Sequence, residues 1–275
     1  MDGDLGDFLR SRRARIRPGE VGLPSYGRRR VPGLRREEVA QLAGVSVDYY
    51  VRLEQGRGPS VSDAVLDSIA RVLRMDETEH AYLRAVARPP KKTGPRGSAP
   101  RVRPGVQLLL DSMERTPAFV LGPAMDALAW NALGDAVHGF GHLAPGRRNP
   151  VRQLFLDPAG RDLYSDWAAA ASQCVANLRL SAGAHPDDPA VRDLVGELSL
   201  KSEEFRRLWA DHQVKACMYG VKRLRHPVAG LLTMSYESLT LPETPDQTLV
   251  VYTPEPGSET AERLALLGSW ASTGA

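Results

Sequence analysis

Up to Ala87 the apolar side chains recur at helical spacing. Leu5, Phe8, Leu9 and Ile16 predict a first helix. Val39, Leu42 and Ala43 give one apolar face to a second helix over 35–43. Val45, Tyr50 and Leu53 do the same for a third over 47–55, with Ser46 placed to cap it and Gly56 to end it. The fourth is expected to start at Ser60, whose spacing from Asp63 is that of a capping box, and to bury Val65, Leu66, Ile69 and Leu73. A fifth over 76–87 turns Tyr82, Leu83 and Val86 inward. Five helices in succession predict an all-α bundle.

From Arg88 to Gly105 the pattern lapses into prolines, glycines and basic residues with one large apolar side chain, Val102. Such a stretch buries too little surface to offset its ordering entropy, so it reads as a linker. Beyond it, 106–113 is helical and two short apolar runs, 118–121 and 127–130, read as strands around a Gly122-Pro123 turn. Residues 131–220 are expected to be mostly helical, with helical periodicity over 165–181, 188–200 and 202–214. Alternation over 230–241 and 248–252 predicts a hairpin around 242–246, and 259–267 closes with a helix. Strands at both ends of a helical middle predict an α+β arrangement. The expected division is 1–88, a helical domain; 89–104, a linker; and 105–275, an α+β domain. A length of 275 residues fits two domains at roughly 100–200 residues each.

Charge sharpens this division. Residues 1–103 carry 21 Lys and Arg against 13 Asp and Glu, and the remainder carries 15 against 20, so a basic first third is joined to an acidic body. A basic domain of this size is expected to meet a polyanion. No apolar run approaches the roughly 18 residues that a membrane span needs, and the N-terminus opens acidic, so a cytoplasmic protein without a membrane partner is expected. Cys174 and Cys217 are too few for a disulfide framework and read as reduced core residues.

The sharpest chemistry lies in 35–55. Two short helices meet at Gly44-Val45-Ser46; Gly44 permits the left-handed turn, and small Ala40 allows a close crossing. With Val45, Tyr50 and Leu53 inward, Val47, Asp48, Val51 and Arg52 point out, as in a helix-turn-helix that inserts its second helix into a major groove. Arg52 can donate twice to guanine, Asp48 can accept from cytosine N4, and Val47 can pack on a thymine methyl. Asp48 can equally serve only to favour the helix N-terminus. Arg28, Arg29 and Arg30 read either as a solvated loop or as a phosphate or minor-groove contact. Arg35 occupies the cap position of the second helix and has no acceptor, so that helix end is expected to order fully only on DNA.

Glu37-Glu38-Val39-Ala40-Gln41-Leu42-Ala43-Gly44-Val45-Ser46, followed by Leu53-Glu54-Gln55-Gly56-Arg57, resembles the Xre, λ-repressor-like helix-turn-helix family with its five-helix bundle. The block Gly27-Arg28-Arg29-Arg30-Val31-Pro32-Gly33-Leu34-Arg35-Arg36-Glu37-Glu38-Val39-Ala40 resembles an actinobacterial branch of it that carries a C-terminal MmyB-like (MltR-type) regulator domain. Asn177-Leu178-Arg179, the run from Glu203 to His212, and His226-Pro227 through Val251 to Ser258 are similar to that domain. The resemblance implies a dimeric regulator of a double-stranded operator. Val47, Asp48 and Arg52 would lie over base edges, and Arg36, Gln41 and Ser46 near phosphates. It further implies a PAS-like sensor domain for a fatty acid or similar small apolar carboxylate. Trp130, Phe155, Trp167, Phe205 and Trp209 are candidate lining residues, with Arg148, Asn149, Arg179 and His212 as polar anchors. The same aromatics can be ordinary core, and Arg179 can pair with Asp193 or Glu197 as readily as with a ligand.

No enzymatic pattern competes with this reading. His138-Gly139-Phe140-Gly141-His142 offers an i, i+4 pair, but two glycines argue against a rigid metal site and no third ligand is evident. There is no Gly-rich phosphate loop, no Gly-x-Ser-x-Gly and no informative Cys/His spacing, so neither catalysis, metal nor cofactor is expected beyond a bound fatty acid. The alternative to a sensor is a constitutive DNA-binding dimer whose second domain only dimerises or binds a protein partner.

Overall fold

The computed structural model describes residues 2–24, 31, 33–56, 61–88 and 101–273. Arg28, Arg29, Arg30 and Ser60 lie outside them, as does most of the expected linker.

The first five helices are α1 (Asp2–Arg15), α2 (Arg36–Ala43), α3 (Val47–Glu54), α4 (Asp63–Val72) and α5 (Glu77–Ala87). Phe8, Leu9, Leu34, Val39, Tyr50, Leu53, Leu66, Ile69 and Leu83 close into one core, where Phe8 meets Tyr82 edge-on at 4.9 Å. Three local expectations are corrected. The cap of α4 is Ser62, whose Oγ accepts from the Val65 N–H, because the helix starts two residues later than Ser60 would place it. Leu42 is 37% exposed, since the buried face of α2 is Val39, Ala40 and Ala43. The start of α2 does not wait for DNA: the Glu38 carboxylate accepts from the Arg35 N–H at 2.7 Å, which satisfies that end from within the first turn.

The C-terminal part comprises α6 (Pro104–Ser112), β1 (Ala118–Leu121), β2 (Ala127–Trp130), α7 (Ala132–His138), α8 (Pro150–Leu156), α9 (Pro158–Leu163), α10 (Trp167–Ala184), α11 (Pro189–Lys201), α12 (Glu203–Ala210), β3 (Tyr219–His226), β4 (Gly230–Leu241), β5 (Thr244–Pro254) and α13 (Glu259–Thr273). The strands form one antiparallel sheet in the order β2-β1-β5-β4-β3. Phe119, Leu224, Leu232, Met234, Tyr236 and Tyr252 fill one face, and α6 covers part of the other over Val120 and Leu249.

Two elements differ from the sequence reading. β3 falls where helix or loop was expected, because its run of Lys222, Arg223, Arg225 and His226 hides the alternation of buried Leu224 and His226. The helix expected to run to Val214 stops at Ala210, and the chain beyond it turns at 211–212 and continues irregularly to β3.

That irregular segment joins the two parts. Val214 is buried in the core of the helical bundle. Arg12 of α1 is 5% exposed, bridges to Glu79 at 2.6 Å and donates to the His212 carbonyl at 3.0 Å. Arg15 donates to the Asp211 carbonyl at 2.7 Å. Alongside, α10 lies directly on α5. A Cβ at Gly183 would stand 2.5 Å from the Tyr82 ring, so only glycine allows this approach.

Candidate nucleic-acid interface and ligand cavity

The helix-turn-helix is built as its residues demand. Gly44 has φ +70°, Val45 N–H returns to the Ala40 carbonyl, and Ser46 Oγ accepts from the Tyr49 N–H at 3.2 Å to start α3. Val47, Asp48 and Arg52 then stand in solvent on one face of α3, opposite buried Tyr50 and Leu53. In the free protein Asp48 and Arg52 are ion-paired with each other across one turn. Gln41 and Ser46 are also exposed, and the Ser46 hydroxyl, which accepts from Tyr49, keeps its own proton as a donor.

Arg36 is half-committed elsewhere. Its Nε lies 3.1 Å from Glu54 Oε2, and Arg13 reaches Glu54 Oε1 at 2.9 Å. Glu54 is fully buried at the end of α3, so these guanidinium groups from α1 and α2 fix the orientation of the recognition helix. A buried carboxylate needs such partners.

The aromatic residues singled out for the ligand pack on one another and on their neighbours. Trp130 packs on Phe140 under the Arg148 guanidinium, which also donates to the Leu143 carbonyl. Asn149 is fully buried as the cap of α8. Phe155, Trp167, Phe205 and Trp209 form a continuous chain of ring contacts. Arg179 is 1% exposed, stacks on Trp209 at 4.0 Å, donates to the Trp209 carbonyl and lies 3.1 Å from His212 Nδ1. Neither Asp193 nor Glu197 takes that position; Glu197 holds Arg152 and Lys201. These side chains pack the far side of α10 and the join to the bundle.

The cavity lies on the opposite side of α10, between that helix and the sheet. Its volume is about 320 Å³, at the low end of the ~300–1,000 Å³ found for small-molecule sites. Phe119, Leu121 and Val250 form its floor with Tyr236 and Tyr252, and Met125, Val151 and Leu180 close its sides. Cys174 and Cys217 both face it, and burial pushes both thiols up while the Lys222 ammonium opposes the shift. Burial also raises Tyr236 to about 12. His185 and Asp246 stand 3.4 Å apart at its rim. None of the nine residues expected at the ligand site lines it. Two signals could have located it. Gln173, Asn177 and Ser181 form an i, i+4, i+8 polar stripe on an otherwise small and apolar helix, and Lys222 shares an alternating strand face with Leu224.

Residues 102–267 match the model of the MmyB-like transcription regulator ligand binding domain, and residues 4–83 match that of a helix-turn-helix domain. The chain belongs to the MmyB-like transcription regulators. It is a DNA-binding regulator with a ligand-binding domain, built as a helix-turn-helix bundle followed by an α+β unit. No curated protein matches it. No described helix of the regulator is long and apolar enough to cross a membrane, and no cluster of metal-ligating side chains occurs among the described residues.

Proposed function

We propose that the regulator reads an operator as a homodimer through Val47, Asp48 and Arg52, with Arg36, Gln41, Ser46 and the Arg28–Arg30 run at phosphates. A single helix-turn-helix reads few base pairs, and symmetric half-sites multiply its affinity. The C-terminal domain senses a fatty acid or similar small apolar carboxylate, held in the cavity between α10 and the sheet.

The observation that carries the sensing role is a shared wall. Leu180 of α10 lines the cavity and also packs against the core of the DNA-binding bundle. The segment after α12 repeats this: Val214 lies in the bundle core, while Cys217 and Met218 lie in the cavity wall. An occupant that prefers one position of this wall thereby biases the placement of the recognition helices, and the shift is limited by its differential affinity for the two arrangements.

Solvent extraction of the purified full-length regulator followed by mass spectrometry tests this reading. A stoichiometric medium- or long-chain acid is expected. A protein that releases no lipid, and whose melting temperature is indifferent to added fatty acids, would be a constitutive DNA-binding dimer.

A further inference from the structure

The cavity is not uniformly greasy; its polar groups are sorted by sign. Lys222 projects from the inward face of β3, where its neighbour Leu224 is fully buried. Its Nζ donates to Gln173 Oε1 at 2.8 Å and sits 5.0 Å from the centre of the Tyr236 ring. Among the described residues no carboxylate approaches it. An ammonium carries three donors, and the Gln173 contact uses one.

The two amides beside it are oriented by their own hydrogen bonds. Gln173 spends its oxygen on Lys222, and Asn177 spends its oxygen on the Cys217 N–H at 3.2 Å. With both amide oxygens so occupied, the Lys222 ammonium and the NH₂ groups of Gln173 and Asn177 concentrate hydrogen-bond donors at this end of the cavity. The rim carboxylate, Asp246, sits with His185, twelve residues further along α10 than Gln173 and hence about 18 Å away along the helix. An ammonium with donors to spare thus lies at one end of the cavity, and a carboxylate already engaged by an imidazole at the other.

We infer that Lys222, Gln173 and Asn177 form the head-group site for an anionic amphiphile, whose apolar body runs from β3 across Val250 toward Leu121 and Met125. This deepens the sensing role proposed above and rests on it. Across β3, β4, β5 and β1 the sheet offers three strand spacings, about 14 Å in all at ~4.7–4.9 Å each. A single alkyl chain with one oxygen acid at its end fits that floor. Arg179, sealed between Trp209 and His212, belongs to the domain join and not to the head group.

The test uses the full-length regulator with decanoate and with decanol, a pair that differs in head-group charge at equal chain length, in titration calorimetry at fixed pH and salt. The native protein is expected to bind decanoate more tightly. Lys222→Met keeps the bulk of the stem and should weaken decanoate by about 10- to 100-fold, the loss of a hydrogen-bonded charge, while leaving decanol unchanged. Gln173→Glu, which places a carboxylate against the ammonium, should have the same selective effect if Lys222→Met folds poorly. Equal affinity for the two probes in native and variant protein would overturn the head-group assignment while leaving an apolar sensor intact. Binding of neither probe would overturn both readings.

Discussion

The proposed recognition helix and the proposed ligand cavity of this regulator are built in opposite ways. Helix α3 takes its shape from eight consecutive residues, a serine cap and a left-handed glycine turn, and presents its reading side chains to solvent. The cavity draws its walls from α8, α10, four strands and the segment after α12, so no stretch of chain contains it. The contrast teaches where each function is vulnerable. In the proposed function, binding of DNA is set by a few exposed side chains on a rigid helix, whereas sensing depends on the distance between elements that meet only in the folded molecule.

The largest expected effect breaks the rigidity on which the first region relies. Glu54→Ala leaves Arg13, 12% exposed, facing Arg36 without their shared carboxylate. Loss of one partner of a buried pair costs about 3–5 kcal/mol. Urea denaturation should show that loss in the bundle, together with weakened operator binding. A variant as stable as the native protein would mean that α3 is positioned by packing alone.

A smaller effect addresses reading itself. Arg52→Ala should cost about 1–3 kcal/mol on the preferred operator and little on random DNA. Equal losses on both would make Arg52 a phosphate contact. Because Arg52 is held by Asp48 in the free protein, the measured loss will fall below that of an unpaired arginine.

The third effect is confined to the sheet domain. His138 is buried against Phe119, Phe140 and Tyr252, and burial, with Lys222 and His226 nearby, lowers its pKa to about 3. The fold therefore keeps the ring neutral, while the unfolded chain takes up a proton near pH ~6.5. Stability is full above that value and is lost as pH falls below it, by about 2 kcal/mol between pH 7 and pH 5. Denaturation midpoints across that range should show this decline, and His138→Phe should flatten it. An unchanged slope in the variant would assign the acid sensitivity to other groups, such as His226, whose pKa burial also lowers.

The helical bundle was legible because its signals are local. Apolar spacing at 3.6 residues, Ser46 as a cap and Gly44 as a turn each act within one or two turns of chain, and the structure keeps them apart from Leu42, which faces out. The exceptions are positions where a neighbour within the first turn changed the outcome. Glu38 replaces the cap that Arg35 cannot supply, and Ser62 starts α4. β1 and β2 were legible for the same reason, as short apolar runs around a glycine-proline turn.

The cavity proposed as the ligand site was not legible, because composition and pattern cannot say which side of a helix a cavity occupies. Aromatic residues and arginines gather in the helical middle, yet their rings stack on one another and Arg179 closes the join between domains. Likewise the mixed charge of β3 concealed a strand whose inward Lys222 matters only once Gln173, forty-nine positions away, is brought to 2.8 Å. Sequence by itself determined the elements whose hydrogen bonds and apolar contacts close over a few residues: the bundle, its recognition helix and the strand runs. Tertiary structure alone decided the cavity, its donor end and its shared wall with the DNA-binding bundle, because each is made by contacts between segments far apart in the chain, and their geometry is fixed by close packing.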